Sequence, residues 1–86
     1  MLHFIRKIIE VKPYKVTCLF NTKEIREIDL EPTLKKFSTS NVSQLKDHNY
    51  FQTVKLDSYG TLCWENGVDF CPDVLYSISI LVEKKK

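Results

Sequence analysis

The sequence predicts a single small α+β domain: an antiparallel β-meander sheet of about five strands, with two or three short helices packed on one face. Three observations lead there. Eighty-six residues fill one domain and leave no room for a second. The first third of the chain alternates apolar and polar residues with the period of two that marks half-buried strands. The helical cues are brief, each seeded by a proline or an aspartate.

The elements follow in order. Ile5 to Val11 reads as a strand that ends at Pro13, which removes a ladder donor and marks a turn. In Tyr14 to Phe20, residues Tyr14, Val16, Cys18 and Phe20 share one face, and Lys15 and Thr17 the other; only Leu19 breaks the alternation. Asn21-Thr22-Lys23 connects this strand to a third, Glu24 to Leu30, where Arg26, Ile28 and Leu30 share a face. Pro32, behind Glu31, occupies a first helical position, with Leu34 and Phe37 three apart, so a short helix spans 32–37. Ser38-Thr39-Ser40-Asn41 reads as loop. Asp47 caps a single turn leading to Tyr50 and Phe51.

A fourth strand carries Val54 and Leu56, the turn Asp57-Ser58-Tyr59-Gly60 reverses the chain, and Thr61 to Glu65 returns with Leu62 and Trp64 inward. Asn66-Gly67 is the strongest short-range hairpin signal, because both residues tolerate positive φ. It brings Val68 and Phe70 back alongside. Pro72 then opens a helix, with Asp69 upstream to accept from orphan amides and Asp73 in the first turn. Leu75 and Tyr76 pack down near Trp64. Ser77 to Glu83 alternates β-branched residues with serines and reads as a strand in preference to a helical extension. The domain spans 1–83, and 84–86 form a basic flexible tail.

The charge excludes some partners. Lys84, Lys85 and Lys86 account for the net +2; without them ten basic residues face eleven acidic ones, a net of −1. Basic residues are scattered, whereas a nucleic-acid binder concentrates them on one face. No apolar run approaches a membrane span. Three cysteines, Cys18, Cys63 and Cys71, form an odd set without a C-x-x-C pair, and early charge interrupts any export signal. The expected setting is the cytoplasm, with reduced thiols.

Catalytic patterns are missing as well. His3 and His48 stand at ligand spacing neither to each other nor to the cysteines. Two glycines cannot build a phosphate-cradling loop, and no nucleophile motif is present. No cofactor and no metal are expected. The one stretch with two readings is Trp64, Asn66, Gly67, Asp69, Pro72, Leu75 and Tyr76. Structurally, each shapes a bend or seats a helix. Functionally, Trp64, Asp69 and Tyr76 would wall a small pocket, since two aromatics and a carboxylate hold a cation or a polar ligand.

The pattern W-x-N-G-x-D…P-x-x-L-Y, running from Trp64 to Tyr76, resembles the bacterial family catalogued as domain of unknown function 2442. Phe20 with Asp29-Leu30, Leu45 with Asp47 and Phe51, and Gly60 fit further stretches of that family, so the resemblance covers nearly the whole chain. Glu65 departs from a frequent proline, Asn21-Thr22-Lys23 lacks the usual turn glycine, and the tail beyond Tyr76 runs longer. The resemblance implies a small α+β domain with an antiparallel sheet and short helices, and no attached activity. Some relatives carry a helix-turn-helix, for which no long helical pattern exists here, and others look like half of a toxin–antitoxin pair. The expected function is therefore a non-catalytic protein-interaction module, an antitoxin-like regulator or adaptor, with another protein or a second copy as partner. The alternatives are a ligand-binding or catalytic pocket at Trp64, Asp69 and Tyr76, or weak nucleic-acid contact through the lysine tail with Lys12, Lys15 and Arg6.

Overall fold

The computed structural model describes residues 2–36 and 40–84, with the backbone alone for 83 and 84. The chain runs β1 (Ile5–Lys12), β2 (Lys15–Phe20), β3 (Glu24–Asp29), α1 (Glu31–Lys36), α2 (Ser40–Gln44), α3 (His48–Phe51), β4 (Lys55–Leu56), β5 (Leu62–Cys63), α4 (Pro72–Ile78) and β6 (Ile80–Lys84). The main sheet has four antiparallel strands in the order β1-β2-β3-β6. The α+β class and the antiparallel sheet are as the sequence predicts, and two details differ. β4 and β5 pair with each other as a separate two-stranded ribbon outside the main sheet. The fourth place in the main sheet belongs to β6, whose strand character the β-branched run foretells. Ser77 and Ile78 belong instead to α4.

Period-two patterning builds the core. Val16, Cys18 and Phe20 of β2 are fully buried, and register sets Ile28 beside Val16 and Ile5 beside Phe20. Leu34, Leu45, Phe51, Leu62, Trp64 and Leu75 cover this face from the helices and the ribbon. Tyr14 lies outside β2 with φ 63°, its ring edge-on to Phe51 and its hydroxyl donating to the Lys46 carbonyl. Lys23 supplies, at φ 71°, the left-handed residue that a glycine would give in the β2–β3 turn.

The helices are too short to stand alone, so tertiary bonds hold them. α1 has the expected position, with Phe37 outside the described residues. The expected loop at 38–41 is corrected in part: Ser38 and Thr39 lie outside the described residues, while Ser40 and Asn41 open α2. The reason is long-range. The Asn41 carbonyl accepts from Asn66 Nδ2 at 2.9 Å, and Asn41 Nδ2 donates to the Asn66 carbonyl at 3.1 Å. Asp47 caps α3 as foreseen, accepting from the Asn49 amide at 2.9 Å. The tail expected at 84–86 falls largely outside the described residues; Lys84 itself stands opposite Glu24 in the β3–β6 register.

Gly60 fixes how the ribbon meets the sheet. Its φ is +79°, its carbonyl accepts from the Ile5 amide at 2.7 Å, and an added Cβ would sit 2.8 Å from the Phe4 Cβ. Gly67 has φ +95° but faces open space. Gly60→Ala therefore costs about 2–4 kcal/mol through conformation and clash together, whereas Gly67→Ala costs about 1 kcal/mol through conformation alone. Thermal melts should show the first falling by roughly 10 °C or more and the second by about 5 °C.

Candidate functional site

The hairpin between Trp64 and Asp69 forms as its sequence dictates. The Gly67 amide donates to the Trp64 carbonyl at 3.1 Å, the Trp64 amide to the Val68 carbonyl at 2.9 Å, and Cys63 bridges to Asp69. Gly67 alone takes the positive φ, as in a type I turn closed by a left-handed residue. Asn66 uses both ends of its side chain: Oδ1 accepts from the Val68 amide, and Nδ2 donates to the Asn41 carbonyl and to Gln44 Oε1. Trp64 is 3% exposed, its indole N–H donates to the Phe51 carbonyl at 3.0 Å, and its ring packs on Phe51 and Phe70. The indole fills the core here.

α4 presents Tyr76 to a different neighbourhood. Pro72 takes the first turn behind the extended Cys71, and Leu75 is buried. The expected cap from Asp69 is corrected: Cys71 is the N-cap residue and makes no side-chain cap bond, and Asp69 lies exposed opposite Cys63. Asp69 sits across the hairpin ladder, two residues too early to reach the first turn. Asp73 does the polar work instead. Its Oδ1 accepts from the His3 amide at 2.9 Å and from His3 Nδ1 at 2.9 Å. A carboxylate only accepts, so this nitrogen carries the proton. The hydrogen bond from His3 holds the Asp73 carboxyl below its ordinary value.

Around Tyr76 a clasp closes. The His3 ring stacks on it at 3.8 Å, the Arg26 guanidinium lies 4.3 Å from its centroid, and Phe20 meets it edge-on at 5.3 Å. Its hydroxyl donates to Glu24 Oε1 at 2.5 Å, a bond that raises the phenol above its usual range. Arg26 also reaches Glu24 at 3.4 Å and donates to the Ser79 hydroxyl and carbonyl. Sequence reasoning missed this cluster, which joins residues 70 positions apart. One signal was present: Arg26 shares a strand face with Ile28 and Leu30, and a guanidinium on an inward face requires partners.

The three residues of the pocket reading are thus distributed between a filled core, an exposed turn and the clasp. A half-open groove of about 200 Å³ lies elsewhere, lined by Tyr14, Glu31, Leu34, Lys35 and Lys46. Among the described residues no three His, Cys, Asp or Glu side chains are placed to hold a metal ion. No helix among them is long and apolar enough to cross a membrane.

The two edges of the main sheet differ in kind. β1 carries Arg6, Lys7, Glu10 and Lys12, has two register irregularities, and is bonded at Ile5 to the Gly60 turn. Charge and bulges of this sort blunt an edge. β6 pairs with β3 on one side only, and Ile80, Leu81 and Val82 are 63%, 50% and 57% exposed. Val82 is the extra residue of a bulge, since Leu81 pairs with Arg26 and Glu83 with Ile25.

A four-stranded antiparallel sheet sealed on one face by short helices and a β-ribbon defines a small α+β domain. Over residues 7–80 the sequence matches the family described as "Protein of unknown function (DUF2442)", and the chain belongs to that family. No curated protein and no solved structure matches it.

Two outcomes follow from these geometries. Asp73 has a depressed carboxyl, so its contribution to stability is present above about pH 3.8, the ordinary value, and fades as pH falls through the lower folded-state value. Acid titration of Asp73→Asn should show lower stability than the parent at neutral pH and a gap that closes below that point. The thiols should label in order of access. Cys71 is exposed, Cys63 is half-buried with burial raising its thiol, and Cys18 is buried and pushed up to about 12 by desolvation. Iodoacetamide with mass spectrometry should modify Cys71 first and Cys18 at least about a hundredfold more slowly, at the rate of unfolding.

Proposed function

We propose that this chain is a non-catalytic protein-interaction module, regulatory in the manner of an antitoxin or adaptor, that docks an extended strand along β6. The observation that carries this reading is the contrast between the sheet edges. Both edges carry a bulge, but β1 interleaves four charged residues with one exposed apolar side chain, Ile9, and is tied down at Ile5, whereas β6 sets three exposed apolar side chains in a row. Strand addition draws affinity from main-chain hydrogen bonds and specificity from alternate side chains. The chemistry-bearing residues support it too: His3, Asp73, Glu24, Arg26 and Tyr76 satisfy one another. Three free cysteines fit a reducing cytoplasm as its place of work.

The tagged protein, expressed in its own host and examined by native mass spectrometry, should retain a partner or a second copy. Ile80→Lys should abolish that retention while leaving the melting temperature within about 2 °C, because the side chain is exposed. A bare monomer at low salt, or retention indifferent to the β6 substitution, would refute the reading.

A further inference from the structure

We infer that the strand which β6 accepts is β6 of a second copy, joined antiparallel about a two-fold axis into one continuous eight-stranded sheet. This rests on the edge-docking reading above and names its occupant. The two-fold follows from charge. A parallel joint would set the two lysine-rich ends side by side, whereas an antiparallel one sends them to opposite ends.

Centred at Leu81, the antiparallel register sets Ile80 opposite Val82 of the second copy. It sets Ser79 opposite Glu83 and Ile78 opposite Lys84, so no like charges face each other. The middle of the joint is then wholly apolar. At Ile78 the chain leaves the sheet to form α4, while β3 runs on to Asp29. There β3 and the start of α1 carry Glu27, Asp29 and Glu31, with Lys15 opposite Asp29 in the β2–β3 register. The described ion pairs of these acids come to one, between Glu27 and Lys12 at 3.8 Å. In this register the Lys84 position of each copy falls at the Asp29 end of the other copy's β3.

Area sets the strength. Ile78, Ile80, Leu81 and Val82 are 40%, 63%, 50% and 57% exposed. They offer on the order of 400 Å² per chain, or about 800 Å² for the pair, below the roughly 1,200 Å² of stable specific interfaces and in the range of weak, transient ones. The new ladder's hydrogen bonds add to this. The outcome is a weak, concentration-dependent dimer.

Sedimentation velocity on the full chain, from about 5 to 500 µM, tests this directly. The expected result is a monomer–dimer equilibrium. Ile80→Lys and Val82→Lys should each weaken it at least about tenfold, Lys84→Glu should weaken it and flatten its salt dependence, and Ile9→Lys on β1 should leave it unchanged. Circular dichroism melts of the four variants confirm that folding is retained. A chain that stays monomeric at the highest concentration overturns the self-pairing. If Ile80→Lys still strips another protein from such a chain, edge docking stands with a different occupant; if nothing was ever retained, both readings fall. A dimer insensitive to the β6 substitutions likewise overturns the proposal.

Discussion

The hydrogen bond from the Trp64 indole to the Phe51 carbonyl ties together the parts that cannot fold by themselves. α3 is a four-residue turn and the β4–β5 ribbon has two residues per strand. Neither closes enough of its own bonds to persist alone. The indole spans them, edge-on to Phe70 and tilted against Phe51, and its N–H is a second donor to the Phe51 carbonyl beside the Val54 amide at 3.2 Å. Tyr50 extends the link by accepting from the Asn66 amide at 3.1 Å. The lid over the sheet is thus one cooperative unit assembled from fragments, and the hairpin turn at Asn66-Gly67 sets its geometry.

A second fastening holds the opposite end. α4 lies over the sheet through Leu75 and Tyr76, and the polar groups that come with it are matched in place. Glu24 meets both the Tyr76 hydroxyl and Arg26, and Asp73 meets both donors of His3. Charged groups at 15–37% exposure are costly unless satisfied in this way. Of the motif residues that look chemical in the sequence, Trp64 and Tyr76 are consequently engaged in binding the chain to itself, and Asp69 lies exposed.

Much of this was legible beforehand, for identifiable reasons. β1, β2 and β3 announced themselves because alternation on a one-sided sheet is a strong signal, and Asp47 and Asn66-Gly67 because their backbone demands are local. α2 was hidden because Ser40 and Asn41 favour loops until Asn66 supplies partners from 25 positions away. The clasp was hidden because no local rule links His3 to Asp73. Asp69 misled because proximity to a helix start in sequence resembles a cap, and only the Cys63 bridge shows that its strand course carries it elsewhere. The sixth strand was visible in its β-branched residues, but its place beside β3 depends on α4 folding back first.

The bond between the Ile5 amide and the Gly60 carbonyl has a consequence for assembly. It occupies the outward backbone group at Ile5 with a turn from the same chain, so the two margins of the sheet are not equivalent. Along the rest of β1, the charges at Arg6, Lys7, Glu10 and Lys12 and two breaks in register do the remaining work by which a sheet margin is kept from templating further strands.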